Sequence, residues 1–433
     1  MSERLKKMRL HHDTRFPNVR TIKTRSHSRD DCFFHGLPSE VFHMILDLLS
    51  VVEMSVLCTV SKKFCGFIMD YIDTFSWRKK HIFRDFHPPS CTERRQNFKH
   101  YRDIGLLFKK CTMLLPTKKR LRYVFRKFSV VPCLMYAQCC VPNCTGFACL
   151  GVFLQTLLAG WSGEEIQKVF FFLCEQTGMF SRIESSFSGK QGARELTEIQ
   201  LRNFCRNVFL NHWSDQKEYQ FWLVELLNPW PLVVQAQLLF ILFGPLMPDG
   251  TVGWREPVET LLTNNCLWDL AKAILHLFSH SGVKGCTTGS VLAIVEELVG
   301  IPHRWEDENI ARLLILCGRN ICYTILVNKL LSGRLAEMSR CLVFIVLVCE
   351  KECYHMNWAA KLVHQICKVI TPVSQRFKFI EQLELMFSEV TKEMFESAIL
   401  GNNPDDDDTL DSLQILDSIA RFHTRFLFMF IEY

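Results

Sequence analysis

The stretch LPSEVFHMILDLLSVVEMSVLCTVSKKFCGFIMDYIDTFSW, residues 37–77, decides the fold of this chain. Pro38 stands where a helix can begin without losing a needed N–H, and Glu40 falls in the first turn, where the helix dipole favours an acid. Val41, Ile45 and Leu48 form one stripe, while Phe42, Leu46 and Leu49 form an adjacent one. The helix is therefore apolar around much of its circumference, more than a short helix needs to cover one core. A second short helix is predicted over residues 53–59, with Met54 and Leu57 inward. A third starts near Ser61 and sets Phe64 and Ile68 one turn apart. Three short helices in about 40 residues make a core too small to be comfortable alone, so the surplus apolar surface calls for a partner.

At these residues the chain resembles a known family. Leu37-Pro38, Glu40-Val41, Ile45-Leu46, Leu48-Leu49, Met54, Leu57, Val60-Ser61 before the basic Lys62, Phe64 and the closing Trp77 together resemble an F-box. The module is placed at residues 34–80. The resemblance implies a three-helix unit that docks onto a Skp-type adaptor, and through it onto a cullin scaffold carrying a RING subunit. The residues it assigns to adaptor binding are Leu37, Pro38, Val41, Ile45, Leu46, Leu48, Leu49, Met54, Leu57, Val60, Ser61, Phe64 and Trp77. Met54 and Val56 depart from the usual leucine-rich run, and Phe64 replaces a frequent Trp. These changes are apolar for apolar, so they bear on adaptor affinity more than on fold. The competing reading is an ordinary helical N-terminal subdomain.

Outward from the module, the 433 residues are 48% hydrophobic and 12% aromatic, with 35 phenylalanines, which is a globular composition with a large core. Low glycine and proline counts argue against a turn-rich β protein. Residues 1–31 read as a basic, disordered arm, since residues 1–30 carry nine Lys/Arg against three acids. That basic, polar start has no apolar signal-peptide core. The 20 cysteines are spread along the chain, which together with that start implies reduced thiols and a nuclear or cytoplasmic setting. The net charge of +6 does not by itself imply a nucleic-acid partner. No membrane span is expected: the longest apolar runs, residues 232–247 and 341–349, fall short of the roughly 18–20 apolar residues needed.

Residues 100–400 show helical spacing throughout. Leu121, Val124, Phe125 and Phe128 lie on one face; so do Ile166, Val169, Phe170 and Leu173, then Leu270, Ala273, Ile274 and Leu277, then Ile310, Leu313, Leu314 and Cys317. Polar, glycine-rich breaks fall at residues 185–192, 245–257, 279–290 and 401–408. This rhythm suits stacked antiparallel helices, so the chain is expected to be all-α, with the F-box followed by an irregular helical bundle or a degenerate helical-repeat array. No Trp-Asp blade signature or leucine-rich consensus is present, which places the resemblance with the F-box-only group. Residues 401–409 read as an acidic linker, with the acids of 405–408 solvated or capping. Residues 410–433 read as a last helix, near 410–420, and an apolar tail that packs onto the body.

Three other constellations need weighing. Cys133, Cys139, Cys140, Cys144 and Cys149 offer enough thiols for a structural zinc, but the gaps are irregular and the neighbours apolar, so core packing is the preferred account. Cys349, Cys353, His355, His364 and Cys367 are a weaker set of the same kind, and no metal or other cofactor is expected. The basic, aromatic run at residues 116–127 suits nuclear import or a nucleic-acid stripe, yet its apolar face makes the charges a solvated side; nucleic acid is not an expected partner. Phosphate-loop, nucleophile-elbow and zinc-protease signatures are missing.

The resemblance thus implies a non-catalytic subunit that tethers a protein target for ubiquitination, with residues 100–433 holding the target. The alternatives are an adaptor-bound helical scaffold without a ubiquitination role, and a chromatin-associated binder using the basic arm and residues 109–127.

Overall fold

A computed structural model describes residues 37–135, 144–213, 215–279, 287–400 and 406–431. The chain divides into two compact units, Met1–Ser50 and Val51–Tyr433, and the division falls inside the predicted module. The described part of the first unit is one helix, α1 (Ser39–Leu48). Pro38 precedes it in extended backbone and accepts the Phe42 N–H at 3.1 Å. Glu40 sits in its first turn, as the sequence suggested, and Phe42 and Leu46 are buried.

The second unit begins with α2 (Val51–Leu57), α3 (Lys62–Ile72) and α4 (Phe75–His81). The predicted second helix therefore starts two residues earlier than expected and ends before Thr59. Ser61 caps α3 by accepting the Phe64 N–H at 3.2 Å, and Thr74 caps α4 by accepting the Trp77 N–H at the same distance. The closing Trp77 thus lies on a fourth helix that the three-helix expectation did not include. There it is fully buried, with its ring edge-on to Phe108 at 6.1 Å.

Phe108 belongs to α5 (Cys91–Cys111), the helix on which α2 and α3 also pack. α6 (Thr117–Phe128), α7 (Pro132–Met135) and α8 (Gly146–Leu158) complete this region. Phe108, Phe128 and Phe153 form a ring cluster with centroids 4.7–6.0 Å apart. From residue 51 onward, the predicted module therefore shares one core with the helices after it. The aromatic cluster is also where part of the phenylalanine surplus goes.

α9 (Gly163–Thr177), α10 (Met179–Phe187), α11 (Glu195–Phe204) with a π-helical continuation (Cys205–Leu210), α12 (Gln216–Leu227) and α13 (Leu232–Phe243) follow. The run at 232–247 is accordingly a 12-residue buried helix and a turn. No helix among the described residues is long and apolar enough to cross a membrane. No strand forms among the described residues; the nearest approach is a lone antiparallel bridge between Leu246 and Val252.

The rest is α14 (Glu256–Glu259), α15 (Asn264–Ser279), α16 (Thr288–Leu298), α17 (Asp307–Cys317), α18 (Arg319–Leu331), α19 (Leu335–Lys351), α20 (Met356–Val369), α21 (Val373–Leu400) and α22 (Asp406–Ile431). Here α15, α17, α19 and α21 form one layer in which each packs on the next but one in sequence, and α18, α20 and α22 form a second in the same way. Such stacking is the mark of a helical-repeat array, the second of the two expected architectures. Arg340 of α19 clips the layer, donating to Asp307 of α17 at 2.6 Å and to Glu393 of α21 at 2.9–3.1 Å.

Two expectations at the C-terminal end need correction. Helix α22 starts at Asp406, four residues earlier than predicted, so the linker is shorter. In the apolar tail, Phe426 packs flat on Phe422 with centroids 5.7 Å apart, but Leu427 and Phe428 are exposed.

Candidate adaptor-docking surface

The structure divides the 13 residues assigned to adaptor binding into an outer and an inner set. On α1, Val41 and Leu48 are exposed, at 40% and 87%, whereas Leu46 is fully buried. Pro38 is exposed, and Leu37, Ile45 and Leu49 are half-buried. Met44 joins Val41 and Leu48 at i, i+3, i+7, so one face of α1 presents three large apolar side chains to solvent. The sequence reading passed over Met44, because two adjacent apolar stripes give no sign of which one faces inward.

On α2 the inner set is Met54, fully buried, with Val51 and Ser55 beside it. Val52, Val56 and Val60 point outward at i, i+4, i+8, with helical turns carrying the spacing past Leu57, itself half-buried. Ser61 acts as the α3 cap rather than as a surface group, and Phe64, Ile68 and Trp77 are core. Met54, Phe64 and Trp77 therefore shape the module from within. Each outward aliphatic covered by a partner contributes about 1.5–3 kcal/mol at most, and exposed runs of this kind are uncommon without a partner.

The thiols beneath these helices are packing groups. Burial, followed by the neighbouring Cys65, pushes the Cys58 thiol up to about 12, so it stays a neutral packing group. Burial also raises the Cys65 thiol, which donates to the Cys111 carbonyl of α5 at 3.3 Å. Cys149 of the first cysteine cluster is buried in α8, its thiol pushed up to about 12, and stands apart from the metal-capable group formed by His87, Cys133 and Cys144. Cys139 and Cys140 lie outside the described residues. The second set is not brought together: Cys349 and Cys367 are buried in α19 and α20 and Cys353 is exposed, and among the described residues these form no ligand group.

The basic run splits in a similar way. Arg120 is buried against the Trp161 ring, 4.3 Å from its centroid, and donates to Thr112 at 2.8 Å; Lys127 is buried and paired with Asp73. Lys118, Lys119, Arg122 and Arg126 remain on the solvated side. Leu121, Val124, Phe125 and Phe128 are all core, as their spacing predicted.

Comparison with known proteins places this geometry. An F-box domain model matches residues 34–74, which contain both outward stripes and end before Trp77. A second model, described as FBXO47, ARM repeats, matches residues 175–431. F-box only protein 47 of mouse and that of human are each 41% identical over 402 residues, covering 92% of this chain and 89% of theirs. The chain belongs to the F-box only protein 47 family. No solved structure matches it. In this family frame, the F-box supplies α1–α3 and the armadillo-like repeats run from the C-terminal part of α9 to α22.

Proposed function

We propose that this chain is the substrate-recognition subunit of an SCF-type ubiquitin ligase, a non-catalytic tether that holds a protein target near the ubiquitin-loaded enzyme. The observation that carries the reading is the exposed Val41, Met44 and Leu48 face inside a segment matched as an F-box. That face docks the Skp-type adaptor, and the adaptor brings the cullin and its RING subunit. The armadillo-like array is left to hold the target, since stacked helical repeats offer an extended surface for proteins. Tethering raises the local concentration of target lysines without any acid, base or nucleophile from this chain.

The test is a pull-down from cells of wild type beside a Val41→Asp/Leu48→Asp variant, probed for adaptor and cullin. Capture of both by wild type and of neither by the folded variant is the expected result. Wild type that captures neither ends the reading. Capture of the adaptor with no cullin-dependent turnover of any co-purifying protein ends its ubiquitination half and leaves an adaptor-bound scaffold.

A further inference from the structure

We propose that His87, Cys133 and Cys144 form a zinc site that clamps the junction between the F-box segment and the helical body. Their three ligand atoms lie within 4.8 Å of one another, although they come from the loop between α4 and α5, from α7 and from the residue pair before α8. His87 Nε2 is 3.7 Å from Cys133 Sγ. Zinc–nitrogen and zinc–sulfur bonds of about 2.0 and 2.3 Å at a tetrahedral angle place the two donors about 3.5 Å apart, so the pair already stands near its liganded spacing. Two thiolates and an imidazole are a soft donor set that selects zinc over magnesium or calcium.

Two further features suit the site to a metal. Asp85 places a carboxylate oxygen 3.9 Å from Nδ1 of His87, leaving Nε2 for Cys133. The same oxygen accepts the His87 main-chain N–H at 2.8 Å, which holds the backbone at His87 in place. The Gly146 N–H, at the start of α8, is 3.4 Å from Cys144 Sγ, so the helix end favours the thiolate there.

The backbone is also built for close approach. Thr145 gives both its N–H and its hydroxyl to the Phe86 carbonyl at 2.9 Å, pinning the Cys144 side of the site to the His87 loop. A Cβ on Gly146 would stand 2.0 Å from the Cys133 carbonyl, so glycine is what lets α8 reach α7.

On binding, Cys133 and Cys144 each release a proton to solvent and form zinc–sulfur bonds, while neutral His87 donates through Nε2. The His87 side chain is 35% exposed, so a metal ion can enter from solvent. The clamp closes a loop of the chain between residues 87 and 144 and fixes the path from α4 into α5.

The experiment measures zinc in the purified full chain under reductant, after equilibration with zinc and removal of the excess. Zinc equimolar with chain is expected for wild type and for Cys91→Ser, an exposed thiol outside the site. His87→Ala and Cys144→Ser should lose most of it. Chelation should lower the melting temperature of wild type to that of untreated His87→Ala, which should itself not respond to chelator. Cobalt-loaded wild type should show tetrahedral d–d bands with thiolate charge transfer, a readout that needs no variant to fold. Zinc that is far below equimolar, or is retained by both His87→Ala and Cys144→Ser, or a pale octahedral cobalt spectrum, overturns the site.

Discussion

The phenol of Tyr123 on α6 donates a hydrogen bond to the main-chain carbonyl of Met69 on α3, at 3.1 Å. Burial raises the Tyr123 phenol well above its ordinary range, so it remains a donor at every working pH. Two more ties run alongside it: the Cys65 thiol to Cys111 of α5, and Lys127 of α6 to Asp73, the C-cap of α3. Helices α3 and α4 are thereby part of the body that leads into the repeats.

Trp77→Ala should therefore destabilise the whole Val51–Tyr433 unit. Removing a fully buried indole costs about 3–5 kcal/mol, while Tyr123→Phe, losing one hydrogen bond, costs about 0.5–1.5 kcal/mol. Urea unfolding followed by circular dichroism checks both. A Trp77→Ala protein with an unchanged midpoint would show that α4 lies outside the shared core.

Leu46 and Leu48 lie on one helix with opposite exposures, and that contrast separates folding from docking. Leu46→Ala removes a buried side chain and should cost about 2–5 kcal/mol of stability. Leu48→Ala should stay within about 0.5 kcal/mol of wild type, yet weaken adaptor binding by about tenfold, equivalent to 1.4 kcal/mol. Thermal melts and titration with purified adaptor read the two quantities. If Leu48→Ala binds as wild type does, the outer α1 face is not the docking surface.

These assignments show what was legible in the residues alone. Periodicity located the buried faces of α6 and α15 because helix geometry repeats every 3.6 residues whatever the tertiary context. It could not say which stripe of α1 faces outward, because both are apolar, so Leu46 and Leu48, on different stripes, both carry the adaptor-binding assignment. Trp77 fitted a motif position, but its burial depends on Phe108, which lies 31 residues further on. The His87, Cys133 and Cys144 group was only half visible: the cysteines stood out as a local cluster, whereas His87 joins them through a chain reversal with no local signature. The stacking order of α15 to α21 was hidden for the same reason, since degenerate repeats conserve shape rather than letters.

Glu198 should give the stability of the body a measurable pH slope. It is 1% exposed, and it accepts the Trp254 indole N–H at 2.8 Å and the Gly192 N–H at 3.1 Å. Burial raises its carboxyl above the ordinary 4.5 by more than these two bonds lower it, and nearby Glu195 adds to the rise. The folded state thus binds the proton more tightly than the unfolded one. Its contribution is fully present below the ordinary value and is lost as pH rises through the elevated one. Relative to Glu198→Gln, wild type should lose stability between about pH 4 and 7. Melting temperatures of both proteins across that range test the sign, and a difference that grows in favour of wild type with pH would refute it.

Asn309 closes the segment between α13 and α15 onto α17. It is fully buried: Oδ1 accepts the Leu262 N–H at 2.8 Å, and Nδ2 donates to the carbonyls of Pro257 and Thr260 at 2.9 and 2.7 Å. Asn309→Ala strands three main-chain groups, each at about 1–3 kcal/mol when buried without a partner. Asn309→Asp keeps the shape and the bond to Leu262 but sets a carboxylate against two carbonyls. It should be at least as damaging as Ala, despite being nearly isosteric. A well-tolerated Asn309→Asp, judged by urea midpoint, would mean that shape rather than the two donated bonds holds this turn.

The pair α5 and α8 offers a case in which two effects of opposite sign can be weighed. Gly105 sits inside α5, where replacing glycine by alanine ordinarily gains about 1 kcal/mol of helix propensity. A Cβ at this position would stand 2.8 Å from Cβ of Thr156 and 2.9 Å from the main-chain carbonyl of Phe153. A flexible side-chain tip would yield, but a helix carbonyl yields only if α8 shifts, and α8 carries Phe153 of the ring cluster against Phe108 and Phe128. Overpacking of this kind costs about 1–3 kcal/mol, so the clash should outweigh the propensity gain. Gly105→Ala should lower the midpoint, and adding Thr156→Ser, which removes the methyl 3.3 Å away but keeps Cβ at 2.8 Å, should recover little of the loss. A more stable Gly105→Ala protein would show that α5 and α8 can separate without cost, and that their close approach is not what this glycine serves.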